Sequence, residues 1–237
     1  DAARAVERAM ASSAFDVRGL HSHIGSQVYR VESFAEALRT VADFAAPYAL
    51  PELAIGGGLG VAYIEGESAP TISEWASVVR QAADAIGLES ELWAEPGRAI
   101  VASAAVTIYE VGGIKEIPGT RTYVSVDGGM SDNPRPIIYG SGYETFLPRA
   151  VGADRTKLMR LVGKHCESGD VLVRDGWVPA DLKVGDLLAT PVTGAYGHSM
   201  GSNYNKMPRP AVVFVSKGDA RLVVRREVPE DLIRNDL

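Results

Sequence analysis

The sequence has 237 residues, of which 46% are hydrophobic and 23% are charged. This balance is typical of a folded protein with one large or two modest domains, and it excludes a mainly disordered, collagenous or coiled-coil chain. The formal net charge is −6, and no block of Lys and Arg offers a contact surface for nucleic acid. The single cysteine, Cys166, cannot form an internal disulfide, which favours a reducing, cytoplasmic compartment.

The first hundred residues alternate between strand, glycine-containing loop and helix. The predicted elements are a helix over 2–11, a strand over 15–23, a helix opened by a Ser33–Glu36 capping box, a strand over 53–55, a helix opened by a Thr71–Glu74 capping box and closed at Gly87, and a strand over 92–94. This order predicts βα units around a parallel sheet, with polar residues at the carboxyl ends of the strands.

After about residue 103 the pattern changes to short β-rich segments separated by Gly and Pro. The predicted strands are 106–111, 122–126, 170–174, 185–190, 211–215 and 221–228. We therefore expect two domains: residues 1–103 with α/β character and residues 104–237 as a β domain, with a sandwich or barrel architecture.

Three local motifs have competing interpretations when each is considered alone. The glycine run Gly56–Gly58 can approach a phosphate, but the segment lacks the Rossmann and Walker patterns. Ser199 lies in a G-x-S-x-G segment, yet every histidine precedes it, against the order of α/β-hydrolases. His21 and His23 could bind a metal, as in barrel hydrolases, or could be structural or stack on a ring.

The remaining candidate residues are ordinary surface or packing residues if each is taken by itself. Glu95 and Arg98 follow a predicted strand and could form a local ion pair or face a charged ligand. Arg135 and Tyr139 are four residues apart, which places them on one helical face if a helix begins at Pro134. Single motifs therefore leave the function open.

Taken together and in order, the motifs are more specific. They are His23-Ile24-Gly25-Ser26-Gln27, Gly56-Gly57-Gly58, Glu95-Pro96-Gly97-Arg98, Asp127-Gly128-Gly129-Met130, Cys166-Glu167-Ser168-Gly169-Asp170 and Gly194-Ala195-Tyr196. With this series the chain resembles the fold-type III pyridoxal-phosphate (PLP) decarboxylases over nearly its whole length, most closely the branch that acts on diaminopimelate. The resemblance implies the end of an alanine-racemase-like (β/α)8 barrel over 1–103 and a C-terminal β domain over 104–237.

The resemblance also implies roles around the PLP cofactor. His23 would stack on the ring, and Glu95 would pair with the pyridine nitrogen and keep it protonated, which makes the ring a better electron sink. The residues implied to hold the phosphate are Ser26, Gly57, Gly58, Gly97 and Tyr196.

The same resemblance implies how an amino-acid substrate is bound. Cys166 would lie near Cα as a candidate proton donor, and Glu167 would bind the distal ammonium. Both would reach into the site of a second copy, so a homodimer is expected. The residues implied to hold the distal carboxylate are Arg98, Arg135 and Tyr139, with Tyr196 close to the substrate as well.

One feature of the family is absent from this sequence. The family's cofactor-binding lysine lies in a Tyr-Ala-x-Lys-Ala-type motif, and none of the six lysines here lies in such a motif. A complete (β/α)8 barrel takes about 250 residues, whereas this chain offers three strand ends before its β domain. We therefore expect the chain to correspond to the C-terminal part of a longer enzyme and to be inactive alone.

Other readings stay open at this point. Another fold-type III decarboxylase would act on ornithine, arginine or carboxynorspermidine. A metal-dependent barrel hydrolase would use His21 and His23, and a non-catalytic binding module would need neither the lysine nor a metal.

The first expectation, implied by the resemblance, is that the longer enzyme catalyses PLP-dependent decarboxylation of meso-2,6-diaminopimelate to L-lysine and CO2.

Overall fold

The fold is described by a computed structural model of residues 1–237. The chain divides into two compact units. The first comprises Asp1–Ala62 and Ser68–Ile100, and the second comprises Tyr63–Glu67 and Val101–Leu237. No helix is both long enough and apolar enough to cross a membrane.

The first unit is a three-stranded parallel sheet with helices between its strands, as the sequence predicts. The first strand is shorter than the predicted 15–23, because its parallel register joins only three residues, from Gly19 opposite Glu52 to His21 opposite Ala54. The other two strands have the predicted length of three residues, shifted by one position. In chain order the elements are α1 (Ala2–Met10), β1 (Gly19–His21), α2 (Glu32–Ala45), β2 (Glu52–Ala54), α3 (Ile72–Ala85), β3 (Glu91–Trp93) and α4 (Gly97–Val101).

The core of this unit lies between the sheet and the apolar faces of α2 and α3. Phe34 and Leu38 of α2 are fully buried, as the helical stripe in the sequence predicts. The Phe34 ring meets the edge of Trp75 on α3, with ring centroids 5.7 Å apart. Leu53 of β2 completes the contact with the sheet. This packing fixes the strand ends that carry the polar motifs.

The two predicted capping boxes have different outcomes. Thr71 and Glu74 form the reciprocal bonds of a capping box at the start of α3. The Ser33–Glu36 prediction is wrong, since α2 begins at Glu32 and has no side-chain cap. Arg30 donates to both Ser33 Oγ and Glu36 Oε1, while the carbonyls of Arg30 and Val31 accept the first-turn amides. The amides of Ser33 and Phe34 at the start of the helix therefore donate to backbone carbonyls instead of to a capping side chain.

The second unit contains a five-stranded mixed sheet in the order β7-β6-β5-β4-β8 and a separate two-stranded hairpin, β9-β10. Only the β5–β6 pair is parallel in the larger sheet. The β-rich prediction missed β6, whose Lys157 and Arg160 interrupt its apolar pattern. The elements are β4 (Val106–Ile117), β5 (Arg121–Val126), α5 (Arg135–Tyr139), β6 (Lys157–Val162), β7 (Val171–Val178), β8 (Leu187–Pro191), β9 (Val212–Ser216), β10 (Asp219–Val224) and α6 (Pro229–Ile233).

An ion pair stabilises the turn that precedes β8. Arg149 donates through Nε and Nη2 to the two carboxylate oxygens of Asp186, at 2.8 Å each. The Lys183 amide adds a third hydrogen bond to the same carboxylate. Hydrogen bonds from Arg149, and to a smaller extent from that amide, lower the pKa of Asp186 to about 2. The ionised carboxylate of the buried Asp186 therefore stabilises the folded state.

We expect Asp186→Asn to lower the free energy of unfolding by about 1–2 kcal/mol at pH 7, since the partly exposed Arg149 is screened by water. The pKa of Asp186 is lower in the folded than in the unfolded state, so its stabilisation is present above about pH 4 and is lost as the pH falls through about 2. Urea unfolding at pH 7 and pH 2.5 measures this dependence. Asp181→Asn, at the exposed second partner of Arg149, is the matched control and should change stability much less; equal effects would contradict the assignment.

Candidate functional site

The glycine run after β2 is where the ends of the three parallel strands approach each other. Gly56 and Gly58 have φ of 66° and 105°, which disfavour any other residue. A Cβ at Gly57 would lie 2.1 Å from the Glu95 carbonyl oxygen, and one at Gly58 would lie 2.1 Å from that of Gly25. The close backbone contacts leave no room for a side chain pointing into these neighbours, so glycine forms the floor of the site.

His23 follows β1 and is held by the glycine run. Its Nδ1 accepts the Gly57 amide at 3.2 Å, so in the neutral ring the proton lies on Nε2. This bond fixes both the tautomer and the plane of the imidazole. His23 is thereby presented as an oriented flat ring beside the glycine floor.

Glu95 follows β3 and has a partner that the sequence did not assign to it. Its Oε2 lies 3.2 Å from His21 Nε2, with 60% of the Glu95 side chain and 50% of the His21 side chain exposed. A carboxylate is only an acceptor, so His21 is the donor when Glu95 is ionised. The pair holds the carboxylate in place and leaves it accessible to a ligand.

These contacts bear on the metal interpretation of His21 and His23. The first imidazole is bound to Glu95 and the second to the Gly57 amide, so they have different partners. The chain has no group of three or more His, Cys, Asp or Glu side chains placed to hold a metal ion. The geometry therefore favours separate roles for the two histidines over a shared metal.

Arg98 and Ser26 form the remaining polar contact of the first unit. Arg98 is 8% exposed, and its Nη2 donates to Ser26 Oγ at 2.9 Å. A hydroxyl that accepts this bond can still donate its own proton to an anion. The Gly97 amide donates to the Glu95 carbonyl, which closes the turn between the carboxylate and Arg98. A cation and a hydroxyl donor thus lie together near the glycine floor.

In the second unit, Arg135 lies among three tyrosine rings. Its guanidinium carbon is 5.3 Å from the ring centroid of Tyr63, 5.2 Å from that of Tyr139 and 5.9 Å from that of Tyr196. Arg135 is 5% exposed, its Nη2 donates to Ser141 Oγ at 3.2 Å, and its Nε has no hydrogen-bond partner. Such a cation is oriented by the ring faces and retains donor capacity for an anion.

The contact of Arg135 with Tyr139 agrees with the spacing argument, although Pro134 is the N-cap rather than the first residue of α5. No motif in the sequence pointed to Tyr63, which belongs to the five-residue segment Tyr63–Glu67 of the second unit. Tyr196 has φ of 60°, a left-handed conformation between Ala195 and Gly197. The ring contacts therefore depend on long-range packing.

Cys166 and Glu167 lie in the loop between β6 and β7. Cys166 is exposed, in contrast to the usual burial of a free cysteine. Glu167 accepts a hydrogen bond from the hydroxyl of Tyr204 at 2.6 Å. The expected site residues therefore fall into two sets. Those in the first unit are His23, Ser26, Gly57, Gly58, Glu95, Gly97 and Arg98, and those in the second unit are Arg135, Tyr139, Cys166, Glu167 and Tyr196.

Comparison with known proteins gives the family. Residues 17–194 match the model described as the pyridoxal-dependent decarboxylase, C-terminal sheet domain. The chain belongs to the pyridoxal-dependent decarboxylases. This membership agrees with the resemblance in the motif series and removes support from the metal-hydrolase alternative.

Among curated members of this family, similar relatives are diaminopimelate decarboxylases. The one from Synechocystis is 47% identical over 92% of this chain and 48% of its own length. That from Bacillus subtilis is 42% identical over 99% of this chain and 56% of its own length. The chain spans about half the length of the curated relatives that it matches.

Solved structures of decarboxylases have a fold similar to that of this chain. The crystal structure of diaminopimelate decarboxylase from M. jannaschii matches this chain with a TM-score of 0.92 at 33% identity. The match covers 100% of this chain and 55% of the M. jannaschii chain. The lysine/ornithine decarboxylase from Vibrio vulnificus has a TM-score of 0.72 at 24% identity, which shows a shared fold only.

Proposed function

We propose that this chain forms part of the active site of a decarboxylase that converts meso-2,6-diaminopimelate to L-lysine and CO2 with pyridoxal phosphate. The observation that carries the proposal is the convergence of His23, the Gly56–Gly58 floor and Glu95 at the ends of three parallel strands. In this proposal residues 1–103 belong to a cofactor-binding (β/α)8 barrel, and residues 104–237 form the β domain.

The residues at the strand ends fit the cofactor that the family requires. The glycine floor excludes side chains and so admits a flat ring and a phosphate, and the Ser26 hydroxyl can donate to phosphate oxygen. His23 offers an imidazole of fixed orientation, and Glu95 an accessible carboxylate. When bound, pyridoxal phosphate supplies the electron sink for the pair left by departing CO2. Ser26, Gly57, Gly58, Gly97 and Tyr196 would hold its phosphate.

Glu95 would hold a proton at the pyridine nitrogen. An ionised carboxylate beside that nitrogen favours its charged form, and each unit of pKa gained there is worth about 1.4 kcal/mol. His21 would keep the carboxylate oriented through Oε2 and leave Oε1 available for the ring. His23 would stack on the ring face and restrict its tilt.

Residues of the second set, together with Arg98 of the first, would bind the substrate. Arg135, with Tyr139, would bind the distal carboxylate, and Arg98 and Tyr196 would contribute to the same end of the ligand. Glu167 would bind the distal ammonium, and the exposed Cys166 thiol would deliver a proton to Cα after CO2 leaves. Opposite charges at the two positions match the distal amino-acid group of diaminopimelate.

Two components lie outside the residues of this chain. The cofactor-binding lysine of the family must come from another segment, because none of the six lysines here lies in the required motif. A second copy would complete each site, with its Cys166 and Glu167 facing the cofactor of the first. We therefore expect activity from a homodimer of the full-length natural protein and none from these 237 residues alone.

The test is an assay of the purified full-length natural protein, loaded with pyridoxal phosphate, for CO2 and lysine release. We expect turnover of meso-diaminopimelate with a kcat/KM well above that for ornithine or arginine. Higher kcat/KM on either alternative substrate would refute the substrate proposed here. Activity that depends on stoichiometric zinc and not on pyridoxal phosphate would refute the reaction class, and turnover by the 237-residue chain alone would refute the need for the lysine.

A further inference from the structure

The loop that carries Cys166 and Glu167 is contacted by a residue 37 positions later in the sequence. The Tyr204 hydroxyl donates to Glu167 Oε1 at 2.6 Å, a short bond typical of a hydroxyl and a carboxylate. The hydrogen bond to Glu167 and the charge of that carboxylate raise the pKa of Tyr204. The phenol therefore remains a neutral donor at physiological pH.

The turn that presents Tyr204 is built with an unusual backbone. Asn205 and Lys206, directly after the tyrosine, have φ of 54° and 57°, a left-handed conformation that non-glycine residues rarely adopt. The Asn203 side chain donates to the Met207 carbonyl at 3.0 Å and to Glu227 at 2.6 Å, which ties the two ends of the turn together. Such conformations persist where surrounding contacts hold them, so the Asn203 hydrogen bonds across this turn determine the position of Tyr204.

The opposite side of the contact is also held. The Tyr204 ring lies 5.5 Å from the ring of His165, whose Nε2 is 2.9 Å from the buried Ser131 hydroxyl. The buried Asp170 carboxylate accepts the amides of His165 at 2.9 Å and Met130 at 2.7 Å. Both the ring and the loop are therefore fixed, and the hydroxyl reaches a carboxylate whose backbone is already in place.

We propose that Tyr204 is a positioning residue that orients the Glu167 carboxylate toward the distal ammonium of the substrate. The inference rests on the proposed function of Glu167. A neutral hydroxyl that donates to Oε1 restricts the rotation of the carboxylate and leaves its negative charge in place. An arginine or lysine at the same position would neutralise that charge. Oε2 then faces the ligand with its negative charge retained, which favours a substrate that carries a second ammonium.

The kinetic test is Tyr204→Phe in the full-length natural protein, which removes the hydroxyl and keeps the ring on His165. We expect KM for diaminopimelate to rise about fivefold with kcat within about twofold, because one hydrogen bond to an exposed carboxylate is lost. In a Glu167→Ala background the same change should alter KM by less than about twofold. Tyr48→Phe, at a ring that packs on Phe44, is the matched control and should leave both constants unchanged.

Two kinetic results would overturn the inference. One is a Tyr204→Phe protein with the KM of the wild type. The other is an equal rise in KM with and without Glu167, since a merely structural tyrosine would act in both backgrounds.

A second measurement tests the contact without relying on activity. Tyrosine labelled with ¹³C at Cζ, with the Tyr204 signal assigned from the Tyr204→Phe spectrum, reports the phenol pKa by NMR. We expect Tyr204 to ionise at lower pH in Glu167→Ala than in the wild type, because the acceptor and the negative charge are gone. An unchanged pKa would refute the contact and the inference with it, whereas absent turnover of diaminopimelate by the wild type would refute the proposed function instead.

Discussion

Glu95→Gln in the full-length natural protein is expected to lower kcat for decarboxylation by about 10²- to 10³-fold, the size typical of losing one preorganised electrostatic group. Glutamine keeps the shape of the side chain but carries no charge, so it cannot favour a protonated pyridine nitrogen. His21 would still find an acceptor in the glutamine carbonyl, so the position of the side chain should be preserved. The effect should therefore fall on kcat more than on KM.

The matched control for this prediction is Glu91→Gln, at the first residue of the same strand β3. It removes one negative charge at the amino end of the strand and should leave kcat within about twofold. The absorbance of bound pyridoxal phosphate gives a second readout, since the protonation of its ring nitrogen changes the spectrum. A Glu95→Gln protein with wild-type kcat would show that Glu95 does not act on the ring nitrogen.

Arg135→Met is expected to raise KM for diaminopimelate by about 10²-fold, since a charge-assisted, geometrically defined contact with a carboxylate is lost. Methionine can occupy the apolar space among the Tyr63, Tyr139 and Tyr196 rings, so the local packing should survive the change. The loss should then appear mainly as weaker substrate binding. Steady-state kinetics with diaminopimelate measure it.

Two further variants make the Arg135 result specific. Arg135→Lys keeps the charge but not the planar fork, and we expect it to recover only part of the binding. Arg80→Met, at an exposed arginine that pairs with Asp84 on α3, removes a surface charge and should change KM by less than about twofold. An Arg135→Met protein with wild-type KM would refute the role of Arg135 in binding the carboxylate.

The alternation of strand, loop and helix over the first hundred residues was predictable from local patterns. The helical stripe of Phe34 and Leu38 has the period of a buried helix face, and Thr71 with Glu74 has the spacing of a capping box. Ser33 and Glu36 have that same spacing, but Arg30 binds both side chains instead. A local motif is therefore reliable only where no nearby charged side chain competes for its polar groups.

The candidate site was predictable to the extent that its residues stand in short motifs at strand ends. Glycine at positions 56–58 shows in the sequence that the backbone must turn tightly, and the structure adds which carbonyl each glycine approaches. The partner of Glu95 was not predictable, because His21 is 74 residues away and its motif also permits a metal ligand. Tyr63 was missed because it is far from Arg135 in the sequence and meets it only through the packing of the second unit.

The order of most elements, the family and the residue types at the strand ends could be read from the amino-acid sequence, because these depend on local period and on motif order. The distant side chains that meet became visible only from the three-dimensional packing: His21 with Glu95, Arg98 with Ser26, Arg135 with the rings of Tyr63 and Tyr196, and Tyr204 with Glu167. Hydrogen bonds and ring contacts act over a few ångströms in space, so they form only once folding brings their partners together. Residues separated by tens of positions leave no periodic trace of such contacts in the chain.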